Sequence, residues 1–264
     1  MILKSTTFLL AILLILITRS NSQRIVTTIN SNWSFFKGDT INESADSRWQ
    51  DVSLPHTWNV QDVSDDEPGY YRGDGWYKKI LYIPVTWKDK DVYILFEGAA
   101  QIAEVFINGH SIGKHTGSYT FFTFPLTKFL HFGDGENAPN ILTVKVNNSA
   151  DEKIPPNSGD YTFFGGIYRD VYLRVYDKVH FDADNNASEA IFITTPVVSA
   201  SYADVNIKRA LFNSGSVQKK LKVTNTMKFL AMVRRRIMLN RLGMMQSHQD
   251  YALLWKKSSR LIQR

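Results

Sequence analysis

The stretch Ala103-Glu104-Val105-Phe106-Ile107-Asn108-Gly109-His110-Ser111-Ile112-Gly113 reads as two strands joined by a two-residue turn. Ala103, Val105 and Ile107 share one face and Glu104 lies on the other, the period of a half-buried strand. Asn108-Gly109 then supplies the two positive-φ positions that a tight hairpin turn requires. Working outward, similar short runs rich in Val, Ile, Phe and Tyr recur at 76–83, 91–96, 141–146 and 169–175, separated by Gly, Asn, Asp and Pro. No stretch between 23 and 177 carries a helical period. Many short strands spaced by roughly 8–12 residues, with no helices between them, predict two packed antiparallel sheets.

The 264 residues are 44% hydrophobic and 21% charged, the composition of a folded chain and not of a disordered one. Because single cores stop growing at roughly 250–300 residues, the length allows one large or two ordinary domains. With no cysteine, disulfide scaffolds, thiolate zinc sites, iron–sulfur ligation and thiol catalysis are excluded. The net charge of +6 invites a nucleic-acid reading until it is located. Nine of the 31 Lys and Arg follow residue 226, against the single acid Asp250, so the tail carries +8 and everything before it −2. The body has no electrostatic reason to seek a phosphate backbone, and no nucleic-acid partner is expected.

At the N-terminus, Lys4 precedes an apolar run over 8–17 that is too short to span a bilayer comfortably, and small residues follow at Ser20 and Ser22. This reads as a signal peptide over 1–22, cleaved before Gln23, with an uncleaved anchor as the alternative. The mature chain is expected to be exported, periplasmic or extracellular, with no membrane attachment after cleavage. Sequons at Asn32, Asn42, Asn147 and Asn186 matter only in a host that glycosylates them.

After a first domain over 23–177, alternation resumes at 180–181, 191–193, 197–198, 205–207 and 221–223. This looks like the opening of an immunoglobulin-like sandwich, which needs about seven strands. It stops at Thr224-Asn225-Thr226, so the unit over 178–226 is expected to be partial. Residues 227–264 are compositionally foreign: they hold Met227, Met232, Met238, Met244 and Met245, and proline is absent after Pro196. A basic membrane- or nucleic-acid-binding helix, a helical capping segment, and out-of-frame translation compete. The last is preferred, because a β-sandwich cannot close its edges with such a sequence.

Four groups of residues, in order, carry a resemblance. They are Ser53-Leu54-Pro55-His56-Thr57-Trp58-Asn59, Gly75-Trp76-Tyr77-Lys78-Lys79, Phe96-Glu97-Gly98-Ala99-Ala100 with Ala103-Glu104-Val105-Phe106-Ile107-Asn108-Gly109, and Gly165-Gly166-Ile167-Tyr168-Arg169-Asp170-Val171. Together they resemble the N-terminal sugar-binding domain of glycoside hydrolase family 2, which includes β-galactosidases, β-glucuronidases and β-mannosidases. The likeness covers 25–177 strongly and 178–226 faintly. It implies an all-β fold: a jelly-roll, galactose-binding-like sandwich, then an incomplete immunoglobulin-like sandwich and a helical or disordered tail. In that family the sandwich lends loops to the sugar pocket of a (β/α)8 barrel. The barrel carries a pair of carboxylates about 5–5.5 Å apart and takes about 250 residues. No catalytic residue is therefore expected in this chain, which reads as the accessory part of a hydrolase of O-glycosyl bonds. The alternative is a stand-alone carbohydrate-binding or lectin-like module. The expected partners are carbohydrate and a glycosidase catalytic domain.

By the same resemblance Asp160, six residues before Gly166-Ile167-Tyr168-Arg169-Asp170, corresponds to an aspartate that binds sugar hydroxyls. A turn aspartate after Ser158-Gly159 is the plainer reading. A family asparagine that contacts sugar corresponds to Ala100, where this sequence departs. His56 is a candidate titrating group, although a structural hydrogen-bonder is the preferred reading. Tyr161, Phe163 and Phe164 can stack on sugar faces, with core filling preferred. Of Arg169 and Asp170, which face opposite sides, one is expected to be a structural ion partner. The acidic run Asp62, Asp65, Asp66, Glu67 with Asp74 lacks calcium-loop spacing and reads as a solvated loop. Without a Gly-rich phosphate loop, His-Glu-x-x-His or Gly-x-Ser-x-Gly, no metal and no cofactor are expected.

Overall fold

The computed structural model describes residues 24–39, 49–60, 62, 64, 69–155, 158–159, 161–199, 202–228, 244–253 and 261–263. Its first unit is built from β1 (Ile25–Thr28), β2 (Trp33–Lys37), β3 (Gln50–Val52), β4 (Asp74–Tyr82), β5 (Asp91–Phe96), β6 (Ile102–Ile107), β7 (His110–Thr116), β8 (Phe122–Pro125), β9 (Pro139–Asn147) and β10 (Val171–Tyr176). They form a four-stranded sheet in the order β1-β10-β5-β8 and a six-stranded sheet in the order β3-β2-β4-β9-β6-β7. Every pairing is antiparallel. This is the expected sandwich. The expected hairpin is in place too, with Asn108 at φ 50° and Gly109 at φ 80° between β6 and β7.

The inward faces supply the core. Leu142, Val144 and Val146 of β9 are buried at every second position and meet Val105 and Ile107 of β6, with Ile94, Phe96, Val171 and Leu173 of the other sheet in the same cluster. Trp33 and Tyr77 are fully buried and meet edge to face at 6.4 Å, a pair worth about 0.5–1.5 kcal/mol beyond its area. β5 is buried along its whole length, because its second face is covered as well. Tyr93 there packs edge-on against Tyr176 and His180.

His180 belongs to the second unit, made of β11 (Val179–Phe181), β12 (Ile191–Thr194), β13 (Asn206–Asn213), β14 (Lys219–Lys228), β15 (Met244–Leu253) and β16 (Leu261–Gln263). β11, β13 and β12 form one sheet, with β16 joined to β13, and β14 pairs with β15. The described parts of 227–264 are thus strands, where the composition had suggested a helical or disordered tail. Basic, Met-rich sequence does not prevent pairing, because strand ladders are made by backbone groups that every such residue carries. No helix among the described residues is long and apolar enough to cross a membrane. The signal-peptide reading of 1–22 falls outside the described residues.

The two units meet at Asp91, the first residue of β5, whose side chain is 9% exposed. It accepts hydrogen bonds from Lys178 Nζ (2.8 Å), His180 Nε2 (3.2 Å) and Ser214 Oγ. Burial alone raises the carboxyl pKa, but those three bonds and the Lys178 charge outweigh it and hold the group below the ordinary aspartate value.

Candidate carbohydrate-facing site

At one end of the sandwich, the loops after β5, β7 and β9 converge with the segment 161–168. Ala100 and Gly166 form an antiparallel bridge, with N–H to O distances of 3.0 and 3.3 Å in the two directions. Trp58 locks the arrangement. Its indole stacks on Phe35 at 5.8 Å and 11° and lies against Gly75 and Gly165, where an added Cβ would come within 2.4 and 2.0 Å of its ring. Only glycine fits at both places, and the indole N–H has no partner among the described residues, so packing alone holds the ring.

Asparagines hold the backbone around this ring. Gly165 N–H donates to Asn59 Oδ1 (2.7 Å), and Asn59 Nδ2 donates to Asp62 (2.5 Å) and to the Tyr71 carbonyl (2.9 Å). Asn148, 2% exposed, donates to the carbonyls of Phe163 (3.0 Å) and Tyr71 (3.3 Å) and accepts from Gly73 N–H (2.9 Å). Each satisfied amide replaces hydrogen bonds that the loops would otherwise make to water.

Together these loops enclose a cavity of about 230 Å³, with Ala100, Gln101, Ser118 and Asn148 beneath and Tyr119, Tyr161, Thr162, Phe163, Phe164 and Tyr168 around it. Tyr161 meets Phe163 edge to face at 5.1 Å, and the Arg72 guanidinium lies 5.2 Å from the Phe163 centroid. The Tyr168 hydroxyl donates to the Ser118 carbonyl, and burial raises its pKa. Among the described residues, the side-chain hydroxyls of Tyr119, Tyr161 and Thr162 make no hydrogen bond. They are free to meet a ligand.

The expected site residues separate. Tyr161 lines the cavity, and Tyr161 and Phe164 are 55% and 50% exposed, so these rings form a rim and do not fill the core. Asp160 lies outside the described residues, next to Tyr161 in the chain. Ala100 stands in the cavity floor and brings no polar side chain to it. His56 is elsewhere. Its Nδ1 is 2.8 Å from the Tyr77 hydroxyl, its backbone N–H donates to the Ile167 carbonyl (2.8 Å), and its ring packs on Phe35 at 4.7 Å. Burial lowers the His56 pKa and raises that of Tyr77 far above the ordinary phenol, so a neutral pair props the loop from within.

Asp170 accepts from Asn30 (3.0 Å) and the Tyr172 hydroxyl (3.0 Å), so it is structural through neutral partners and not as an ion partner. Arg169 lies over the Tyr168 ring at 5.4 Å. Of the acidic run, Asp62 serves the Asn59 network and Asp74 pairs with Lys145 (2.7 Å), while 65–67 lie outside the described residues. Among the described residues no three His, Asp or Glu converge on a point that could hold a metal. Sequence reasoning missed Asn148, Ser118, Tyr119 and Tyr168. Tyr168 sat inside a quoted motif, and Asn148 was seen only as the middle of a sequon.

Comparison with known proteins agrees with this geometry. The family described as "Glycosyl hydrolases family 2, sugar binding domain" matches residues 26–177. A β-glucuronidase of Bacteroides fragilis is 35% identical over 242 residues, covering 89% of this chain and 33% of that protein. A β-galactosidase of Thermoanaerobacter pseudethanolicus is 29% identical, covering 90% and 33%. The crystal structure of a Bacteroides uniformis β-glucuronidase superposes with a TM-score of 0.77 at 36% identity, covering 91% of this chain and 27% of that one. The chain thus spans about a third of the length of the curated relatives it matches. It belongs to family 2 of the glycosyl hydrolases, and residues 26–177 are its sugar-binding domain.

Proposed function

We propose that this chain is the accessory, sugar-facing part of a glycosidase that hydrolyses O-glycosyl bonds, and that the cavity over 161–168 meets the carbohydrate beside a catalytic domain. One observation carries the reading. Within the matched domain, exposed Tyr119, Tyr161 and Phe164 surround a cavity edged by free hydroxyls. Aromatic faces suit the C–H faces of a pyranose, and hydroxyls suit its O–H groups. Asp160, next to Tyr161 in the chain, is the carboxylate proposed to accept hydrogen bonds from vicinal hydroxyls.

The relatives named β-glucuronidase and β-galactosidase make β-glucuronides and β-galactosides the first ligands to try. Titration calorimetry with methyl β-D-glucuronide and methyl β-D-galactoside should give a Kd of about 1 mM for one of them, or about −4 kcal/mol. Tyr161→Ala and Phe164→Ala should each weaken it about fivefold, roughly 1 kcal/mol. The chain alone should release no nitrophenol from the p-nitrophenyl glycosides. Binding that is unchanged in both variants, or turnover by the chain alone, refutes the reading.

A further inference from the structure

We infer that the outer face of the six-stranded sheet carries a second carbohydrate site, an open groove that takes a neutral oligosaccharide. The groove has a volume of about 810 Å³ and is built on β3, β2 and β4, and none of its lining residues belongs to the cavity over 161–168. Register sets its pattern. Ser34 is opposite both Asp51 of β3 and Lys78 of β4, so these three side chains form one polar row across the strands. One row toward the end of β2, Phe36 is opposite Trp76 and packs on Trp49 at 5.9 Å. In the other direction along β4, Ile80 and Tyr82 are exposed on the same face. Aromatic surface thus stands at both ends of the groove, Trp49 at one and Tyr82 at the other, with hydrogen-bonding groups between them.

Along β4 the lining runs from Lys78 to Tyr82, about 13 Å at the rise of a strand, which is more than a monosaccharide needs. The polar row is unspent: among the described residues, the side chains of Ser34 and Asp51 have no hydrogen-bond partner. Lys78 is in reach of Trp49, with Nζ 5.9 Å from the ring. The Lys79 amine is already committed to the Ser31 carbonyl, and burial lowers its pKa. Asp51 offsets Lys78 within the polar row, and the Lys79 ammonium is turned to backbone carbonyls of Ser31 and Asn32 beside it, so the row itself carries no net charge and offers hydroxyl-binding groups without the cluster of free cations that a polyanion needs. A protein partner is the less suitable occupant, because the polar row would bury Asp51 and Lys78 at the centre of the contact, where interfaces are depleted of charge.

The test is native affinity electrophoresis of the full chain through gels containing arabinoxylan, galactomannan or hydroxyethylcellulose, none of which carries the β-galactosides or β-glucuronides assigned to the cavity, with heparin as the polyanionic comparison. Retardation is expected in at least one neutral polymer and should fall about tenfold in Trp49→Ala and in Asp51→Ala. Asp51→Ala disturbs no packing and keeps the test valid if loss of Trp49 perturbs the sheet edge. Tyr161→Ala and Phe164→Ala should leave this retardation unchanged, which separates the groove from the cavity over 161–168. Retardation by no neutral polymer, by heparin alone, or to the same degree in Trp49→Ala and Asp51→Ala overturns the inference.

Discussion

Replacing Gly165 by alanine should unseat Trp58 and loosen the whole cavity. The added Cβ would stand 2.0 Å from Trp58 Cζ2, 2.3 Å from Cε2 and 2.7 Å from Asn148 Cγ. Carbon contacts settle at about 3.5–4.0 Å, so the ring would have to retreat by about 1.5 Å. It has nowhere to go. Phe35 stacks along it at 5.8 Å, and a Cβ at Gly75 would be only 2.4 Å from its Cζ3, a measure of how closely that backbone approaches. Moving Gly165 instead breaks its N–H bond to Asn59 (2.7 Å). Overpacking costs about 1–3 kcal/mol, and with both escapes blocked the upper figure applies. At about 3 kcal/mol, a unit of roughly 150 residues should lose about 6–12 °C in Tm. Thermal unfolding followed by tryptophan fluorescence reads this directly, with Gly109→Asn as the control. That position has φ +80° and nothing within 4 Å, and asparagine accepts the left-handed region, so the change should stay below about 0.5 kcal/mol. If Gly165→Ala melts within about 1 °C of the parent, the steric argument for the Trp58 clamp is wrong.

Two predictions concern Asp91. Asp91→Ala should destabilise the chain by about 3 kcal/mol, the low end for breaking a buried ion pair, because Lys178 is itself 38% exposed and can turn to water. Urea unfolding measures it, and a loss under about 1 kcal/mol would show the junction to be incidental. The second is the response to acid. A carboxyl whose folded pKa is depressed adds stability that is fully present above its unfolded value near 3.9 and is lost as pH falls through the folded value. The junction should therefore loosen below about pH 4, seen as faster amide exchange in β11 and β13, and Asp91→Asn should abolish that segment of the acid response. Identical acid profiles for parent and Asp91→Asn would refute the assignment.

Much of the sandwich was legible because its signals are local. Alternation places 91–96 and 141–146 within the strands observed, and Asn108-Gly109 specifies its own turn chemistry. What alternation cannot convey is which side of a strand is covered twice. Tyr93 alternates with the inward Ile94 of β5, yet it is buried too, because the second unit and its His180 arrive from nearly 90 residues away. The cavity was harder for the same reason: Ala100, Ser118, Asn148 and Tyr161 come from three separate connections, and only long-range pairing brings them together. Aromatic density was misleading, since a ring on a rim and a ring in a core are the same letter. His56, beside Pro55 in the chain, hydrogen-bonds the Tyr77 hydroxyl, a long-range partner that its neighbours in sequence do not reveal. The strands at 244–253 and 261–263 were hidden by a composition with few turn residues and little alternation.

The double coverage of β5 also separates two boundaries that are easily taken for one. The family match ends at residue 177, but the wall behind Tyr93 and the ligands of Asp91 lie at Lys178, His180 and Ser214. A fragment cut at the evolutionary seam would present a wet tyrosine and an orphaned carboxylate on its central strand. Lys178, His180 and Ser214 complete the surroundings of β5, and a fragment excised for biophysical work should include them.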